Sequence, residues 1–211
     1  ILRNITIRQI LEDRKGNIWL GMQHYGLFKW DAGKVAVRDQ KAIRRVDAIP
    51  VVQVNKIIND SKGRIWVATS KEGLYVLDQS TDSVLMIFGR NKEESRRLPE
   101  DAISSVLQYN DSTFLISTSA YVVMFNENTG RITILSDPEN IVEYIASLEK
   151  DNKGYVWVST TNGLYRLNPL SGLIVSFKRT DGIDNENFIT GSSRLLPDGR
   201  MLFGSTSQFI Y

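Results

Sequence analysis

The sequence has no cysteine and a single histidine, His24, among its 211 residues. The first absence excludes disulfides and thiolate metal sites, and it fits periplasm and cytosol equally well. The second leaves metal-assisted hydrolysis without the several histidines or clustered carboxylates it needs. A Ser or Thr triad would have to use His24, which stands in no nucleophile motif. There is no Gly-rich phosphate loop, and no apolar run approaches the roughly 18 residues of a membrane span. An excess of one charge is also missing. The 26 basic and 24 acidic side chains are spread along the chain, whereas a nucleic-acid footprint would concentrate the basic ones. An apolar share of 42% and a charged share of 24% are those of an ordinary globular protein with a substantial core. The chain starts without Met or leader, as expected of a segment of a longer protein.

What the sequence does have is a repeated phrase: Asp-x-x-Gly-x-Ile/Val-Trp, a small residue, then Gly-Leu-aromatic. It runs from Asp13 through Trp19 to Gly26-Leu27-Phe28, and from Asp60 through Trp66 to Gly73-Leu74-Tyr75. A third strong copy runs from Asp151 through Trp157 to Gly163-Leu164-Tyr165. Worn copies surround Leu115 and Leu202, so the Trp positions fall at 19, 66, 115, 157 and 202, with spacings of 47, 49, 42 and 45. A period of about 40–50 residues built from short strands is that of propeller blades.

Each copy reads as four strands. In the second, Val54–Ile58 is a first strand and Asp60-Ser61-Lys62-Gly63 a hairpin turn, with Asp capping backbone N–H groups and Gly supplying positive φ. Ile65–Ala68 is a continuous apolar run, which implies a strand covered on both faces. Leu74–Leu77 and Val84–Phe88 complete the blade. The expected fold is an all-β propeller fragment of about four and a half four-stranded blades over residues 1–211. The blades lie near 5–38, 53–89, 102–135 and 144–178, with an incomplete one at 188–211. The three repeated Trp residues read as packing between blades, and Trp30 lies outside that register. The Asp-x-x-Gly turns offer too few oxygen ligands for calcium and read as turns. An open arc would leave apolar faces on its terminal blades, so the fragment is expected to associate.

Strand alternation places the links between second and third strands on one rim with the crossovers between blades. The Asp-x-x-Gly turns occupy the opposite rim. Only the first rim varies between copies, which makes it the expected binding surface. Its candidates are His24 and Tyr25, Lys71 and Glu72, Tyr121 and Asn162 on the links. Arg44 and Arg45 are assigned to a crossover over 39–53, and Arg96 and Arg97 to another over 90–101. An imidazole beside aromatic rings and amides suits a sugar, and the arginines suit an acidic glycan. No catalytic residue, metal ligand or cofactor is assigned.

The repeated phrase resembles the two-component regulator propeller repeat, typical of the periplasmic sensor region of hybrid two-component systems of Bacteroides and relatives. Asp181-Gly182-Ile183, Asn185 to Phe188 and Leu196-Pro197-Asp198-Gly199 resemble the final blade before that family's β-sandwich domain. The resemblance implies the C-terminal part of a seven-bladed propeller in an inner-membrane-anchored sensor histidine kinase, itself a homodimer. It implies an oligosaccharide ligand and control of glycan-utilisation genes, with the remaining blades and the β-sandwich as partners. It implies neither enzyme activity in this fragment nor contact with nucleic acid. Two alternatives stay open: a protein-interaction scaffold with no direct ligand, and a lyase-type propeller enzyme.

Overall fold

The computed structural model describes residues 5–31, 43–141, 143–183, 187–207 and 209–210. The described residues form five antiparallel sheets, each a meander in chain order. The first contains β1 (Ile7–Glu12), β2 (Ile18–Met22), β3 (Leu27–Trp30) and β4 (Ile43–Arg45), and the second β5 (Val54–Asn59), β6 (Arg64–Thr69), β7 (Leu74–Asp78) and β8 (Val84–Phe88). The third contains β9 (Ile103–Asn110), β10 (Thr113–Thr118), β11 (Val122–Asn126) and β12 (Arg131–Ser136). The fourth contains β13 (Ile145–Lys150), β14 (Val156–Thr160), β15 (Gly163–Leu167) and β16 (Ile174–Phe177). The last has three strands, β17 (Phe188–Leu195), β18 (Met201–Ser205) and β19 (Phe209–Ile210). The fold is an all-β propeller. The chain divides into two compact units, residues 1–103 with the first two blades and residues 104–211 with the rest.

One boundary differs from the sequence reading. A first blade ending at 38 falls among residues 32–42, outside the described residues, and the fourth strand described is Ile43–Arg45. Arg44 and Arg45 therefore belong to a strand and not to a crossover. Trp30 pairs with Ile43 across β3 and β4. The proposed motif residues Asn185 and Glu186 also lie outside the described residues.

The repeated phrase has a specific physical basis. In each strong copy one carboxylate serves two masters. Asp60 Oδ1 accepts the backbone N–H groups of Lys62 at 3.0 Å and Arg64 at 2.8 Å, which closes the turn. Its Oδ2 accepts the indole N–H of Trp66 at 2.8 Å and Arg64 Nε at 2.7 Å. Asp13 repeats this with Lys15, Asn17 and Trp19, and Asp151 with Lys153, Tyr155 and Trp157. Burial pushes the Asp13 carboxyl up, but hydrogen bonds from Trp19, Asn17 and Lys15 outweigh it and hold the group below its ordinary value of 3.8. Buried indole N–H groups require such partners.

The worn copies lose both members together. Leu196 stands where the turn Asp should be and Leu202 where the Trp should be. The turn backbone survives, with Leu196 N–H donating to Arg200 O at 2.7 Å. At the third blade the turn is two residues long, and Asn110 Oδ1 accepts the N–H groups of Ser112 and Thr113. Leu115 then fills the Trp position, fully buried with Val122, Ile145 and Val158.

The second strands form the core. Trp19, Ile65, Trp66, Val67, Phe114, Leu115, Ile116, Val156 and Val158 are all fully buried. In the first unit Trp19 packs with Val54, Ile57, Val67 and Tyr75 of the second blade. Trp66 stacks on Phe88 of the outermost strand with ring centroids 5.8 Å apart. Trp157 is only partly buried and packs against the cluster of Phe188 and Phe203. The last blade is less covered still, with Met201 and Leu202 half-buried and Phe209 exposed.

Trp66→Ala should lower unfolding free energy by ~3–5 kcal/mol, because a fully buried aromatic is lost. Lys71→Ala, at an exposed link position, should stay within about 0.5 kcal/mol of the wild type. Urea denaturation of the two variants measures both.

Candidate functional site

The links of the second, third and fourth blades are built by a second local device, a threonine that the first blade replaces with Met22. Thr69 Oγ1 donates to Gly73 O at 2.7 Å and accepts the Glu72 N–H at 3.0 Å. Thr160 Oγ1 does the same with Gly163 O at 2.9 Å and the Asn162 N–H at 3.1 Å. Thr118 Oγ1 accepts the N–H groups of Ala120 and Tyr121. A hydroxyl turn of this kind tightens the link and projects its tip residues.

The Gly of Gly-Leu follows because a crossover passes directly over it. Gly73 has φ +85, and a Cβ there would stand 2.2 Å from Phe88 O. Gly26 has φ +76, and its Cβ would stand 2.6 Å from Pro50 O. Backbone bonds then fasten link to crossover: Gly26 N–H to Val52 O at 3.0 Å, and Gly73 N–H to Asp101 O at 2.9 Å. In the second unit Ile145 N–H donates to Ser119 O and Thr161 N–H to Tyr144 O, at 2.9 and 3.0 Å. Within each unit the links and crossovers thus share one edge.

On that edge of the first unit His24 is exposed, Tyr25 is 47% exposed, and Lys71 and Glu72 are exposed. In the second unit Tyr121 is half-buried and Asn162 is exposed. Arg96 and Arg97 lie on the crossover between β8 and β9, Arg96 paired with Glu93 at 3.2 Å. Arg45 is held by Asp47 at 2.5 Å and by Ile49 O at 2.8 Å.

Arg44 departs from expectation in its contacts as well as its strand. Its guanidinium pairs with Asp82, in the turn between β7 and β8, and stands 4.0 Å from Asp31. Asp82 is also bound by the buried Lys29 at 2.8 Å, whose ammonium lies 4.6 Å from the Trp19 ring centroid. Lys29 donates in addition to Gln79 O at 2.8 Å. Arg44 is therefore part of the ionic joint between the first two blades on the turn side.

One cluster escaped the sequence reading. Glu143, at the end of its crossover, gathers three donors from separate elements. Tyr165 Oη donates to Oε2 at 2.6 Å, and Asn162 Nδ2 and Lys178 Nζ each reach Oε1 at 3.2 Å. Burial pushes the Glu143 carboxyl up, yet the Tyr165 and Lys178 hydrogen bonds dominate and hold it below its ordinary 4.5. Beside it a depression of about 390 Å3 is lined by Asn140, Tyr165, Leu173, Ile174 and Ser176 among others. Residues 143, 162, 165 and 178 share no spacing, so only the meander could bring them together.

Residues 1–24 and 48–71 match the family described as two component regulator propeller. That match covers two copies of the repeated phrase, 48 of the 211 residues. No curated protein sequence matches the chain. Solved structures resemble it throughout. The extracellular domain of a B. thetaiotaomicron protein named as a hybrid two-component system aligns at TM-score 0.63 and 16% identity, over 95% of this chain and 32% of its own. A second such B. thetaiotaomicron domain aligns at 0.60 and 17%, over 98% of this chain and 33% of its own. Virginiamycin B lyase from Staphylococcus aureus aligns at 0.68 and 13%, over 95% and 67%. At these identities the likeness is one of fold. The chain spans about a third of the length of the first two. Among the described residues no helix is long and apolar enough to cross a membrane.

The Glu143 cluster makes a pH prediction. A carboxyl held below its unfolded value adds stability that is fully present above that value, about 4.5. It is lost as pH falls through the lower, folded value. Tyr165→Phe should raise the Glu143 titration midpoint, measured by carboxyl 13C NMR, and bring that loss to higher pH. An unmoved midpoint would show that the hydroxyl does not hold the carboxylate.

Proposed function

We propose that this chain is a periplasmic ligand-sensing module of a hybrid two-component sensor histidine kinase. It recognises an oligosaccharide, and its occupancy controls expression of glycan-utilisation genes. The observation that carries this reading is the division within each regulator-propeller repeat. In the three strong copies the turn side keeps the same Asp, Gly and Trp, while the link and crossover side places different polar and aromatic tips. Such a side offers recognition on a rigid support. His24 and Tyr25 supply an imidazole and an exposed ring face, and Lys71 and Glu72 supply charge on the neighbouring link. The resemblance to extracellular domains named as two-component systems supports the compartment. The chain acts by binding, and the reaction occurs in kinase segments elsewhere in the protein.

A scaffold without a ligand is favoured by one observation: Asn162 and Glu143 already satisfy each other. A reporter experiment separates the readings. In the sensor that contains this chain, His24→Ala with Tyr25→Ala should blunt the transcriptional response to its inducing glycan, with little change in melting temperature. Asn152→Ala, on an exposed turn, should leave the response intact. Equal loss from both, at equal stability, would put the scaffold first.

A further inference from the structure

We propose that the crossover between β8 and β9 binds an anionic saccharide, one bearing carboxylate or sulfate groups. The inference rests on the sensing role proposed above and adds the charge of the ligand.

Charge divides unevenly between the two units. Residues 1–103 hold 18 basic and 13 acidic side chains, and residues 104–211 hold 8 and 11. Part of the basic excess converges on a cavity of about 580 Å3 lined by Arg90, Asn91, Lys92, Arg97, Leu98 and Pro99. Its walls carry three cations and no acidic side chain. None of the three makes an ion pair among the described residues. Of the nearby acids, Glu93 pairs with Arg96, and Asp101 Oδ1 accepts the Arg90 backbone N–H at 2.7 Å. Arg97 Nε donates to Lys92 O at 3.2 Å, which fixes the guanidinium and leaves its terminal nitrogens without a partner among the described residues.

The loop is held in this form without a ligand. Gly89 N–H donates to Arg96 O, and Leu98 N–H to Gly89 O, both at 3.1 Å, so the crossover returns to its own starting point. Leu98 is 1% exposed and anchors the return. A Cβ at Gly89 would stand 2.5 Å from Asp101 Oδ1, so a larger residue there would displace the carboxylate that holds the Arg90 N–H. Exposed cations gathered on one short loop repel each other, and an anion relieves that cost on binding. A guanidinium fork matches carboxylate or sulfate oxygens in pairs. The Gly73–Asp101 bond joins this crossover to the link carrying Lys71, so the cavity lies on the variable edge.

The test is calorimetric titration of the protein with three tetrasaccharides: an oligogalacturonate, its fully methyl-esterified neutral form, and a chondroitin sulfate fragment. We expect at least one acidic probe to bind with an affinity that falls as salt rises, and the neutral form to bind far more weakly. Chondroitin sulfate carries both groups, so binding of the oligogalacturonate shows that carboxylates suffice, and binding of the chondroitin fragment alone points to sulfate. The combined Arg90→Gln, Lys92→Gln and Arg97→Gln variant should retain its melting temperature and lose affinity by about tenfold or more. Wild-type affinity in that variant, or equal binding of the free and esterified probes, would overturn the proposal. So would binding of a poly-glutamate peptide in place of both acidic saccharides. Failure of both acidic probes beside binding of the neutral one would overturn the anionic site and leave the sensing role standing. The sensing role itself falls on the reporter experiment above.

Discussion

The structure depends on one bifunctional carboxylate. In each strong repeat an aspartate closes a hairpin turn with one oxygen and holds a tryptophan indole with the other, at 2.8–3.0 Å. The turn sets where the second strand begins, and the indole sets which face of that strand carries its largest side chain. The two decisions are coupled through a single side chain. That explains why Leu196 and Leu202 appear together in the last copy, where both partners are gone. Without the carboxylate, a buried indole N–H would lack a partner at a cost of roughly 1–3 kcal/mol. Leucine removes the need and still fills the space, as Leu115 does.

Fixing one end of each blade leaves the other end free to differ. The link end relies on threonine hydroxyl turns and on glycines pressed beneath a crossover, and neither dictates the identity of the tip residues. His24-Tyr25, Lys71-Glu72 and Thr161-Asn162 therefore occupy equivalent places with unrelated chemistry. The turn side performs the joining instead. Lys29 and Arg44 of the first blade converge on Asp82 of the second; Lys29 and Asp82 are buried, and their desolvation cost is offset only because each charge has a partner.

The periodic features were legible in the sequence. Strand order, the turns and the burial of Trp19 and Trp66 follow from spacing and continuous apolar runs. The second role of the aspartate was not, because a turn-capping residue six positions before a tryptophan looks identical whether or not the two touch. The fourth strand of the first blade was misplaced because Ile43-Arg44-Arg45 lacks the apolar run that marks the other strands. Its side chains are spent on Asp82, Asp47 and a backbone carbonyl. The Glu143 cluster was invisible for a different reason: its members come from four segments that meet only after the meander forms. At the crossover over 90–101 the sequence showed mixed charge. The fold sorts that mixture, directing Glu93 to Arg96 and leaving Arg90, Lys92 and Arg97 around one cavity.

A double-mutant cycle between Asp60 and Trp66 tests the central claim most directly. Asp60→Ala, Trp66→Phe and the double variant would be compared by urea denaturation. If the carboxylate couples turn to core, the two single losses exceed the double loss by about 1 kcal/mol or more. Losses that add within about 0.5 kcal/mol would mean that the turn and the tryptophan act independently, and the account of the repeat would fail.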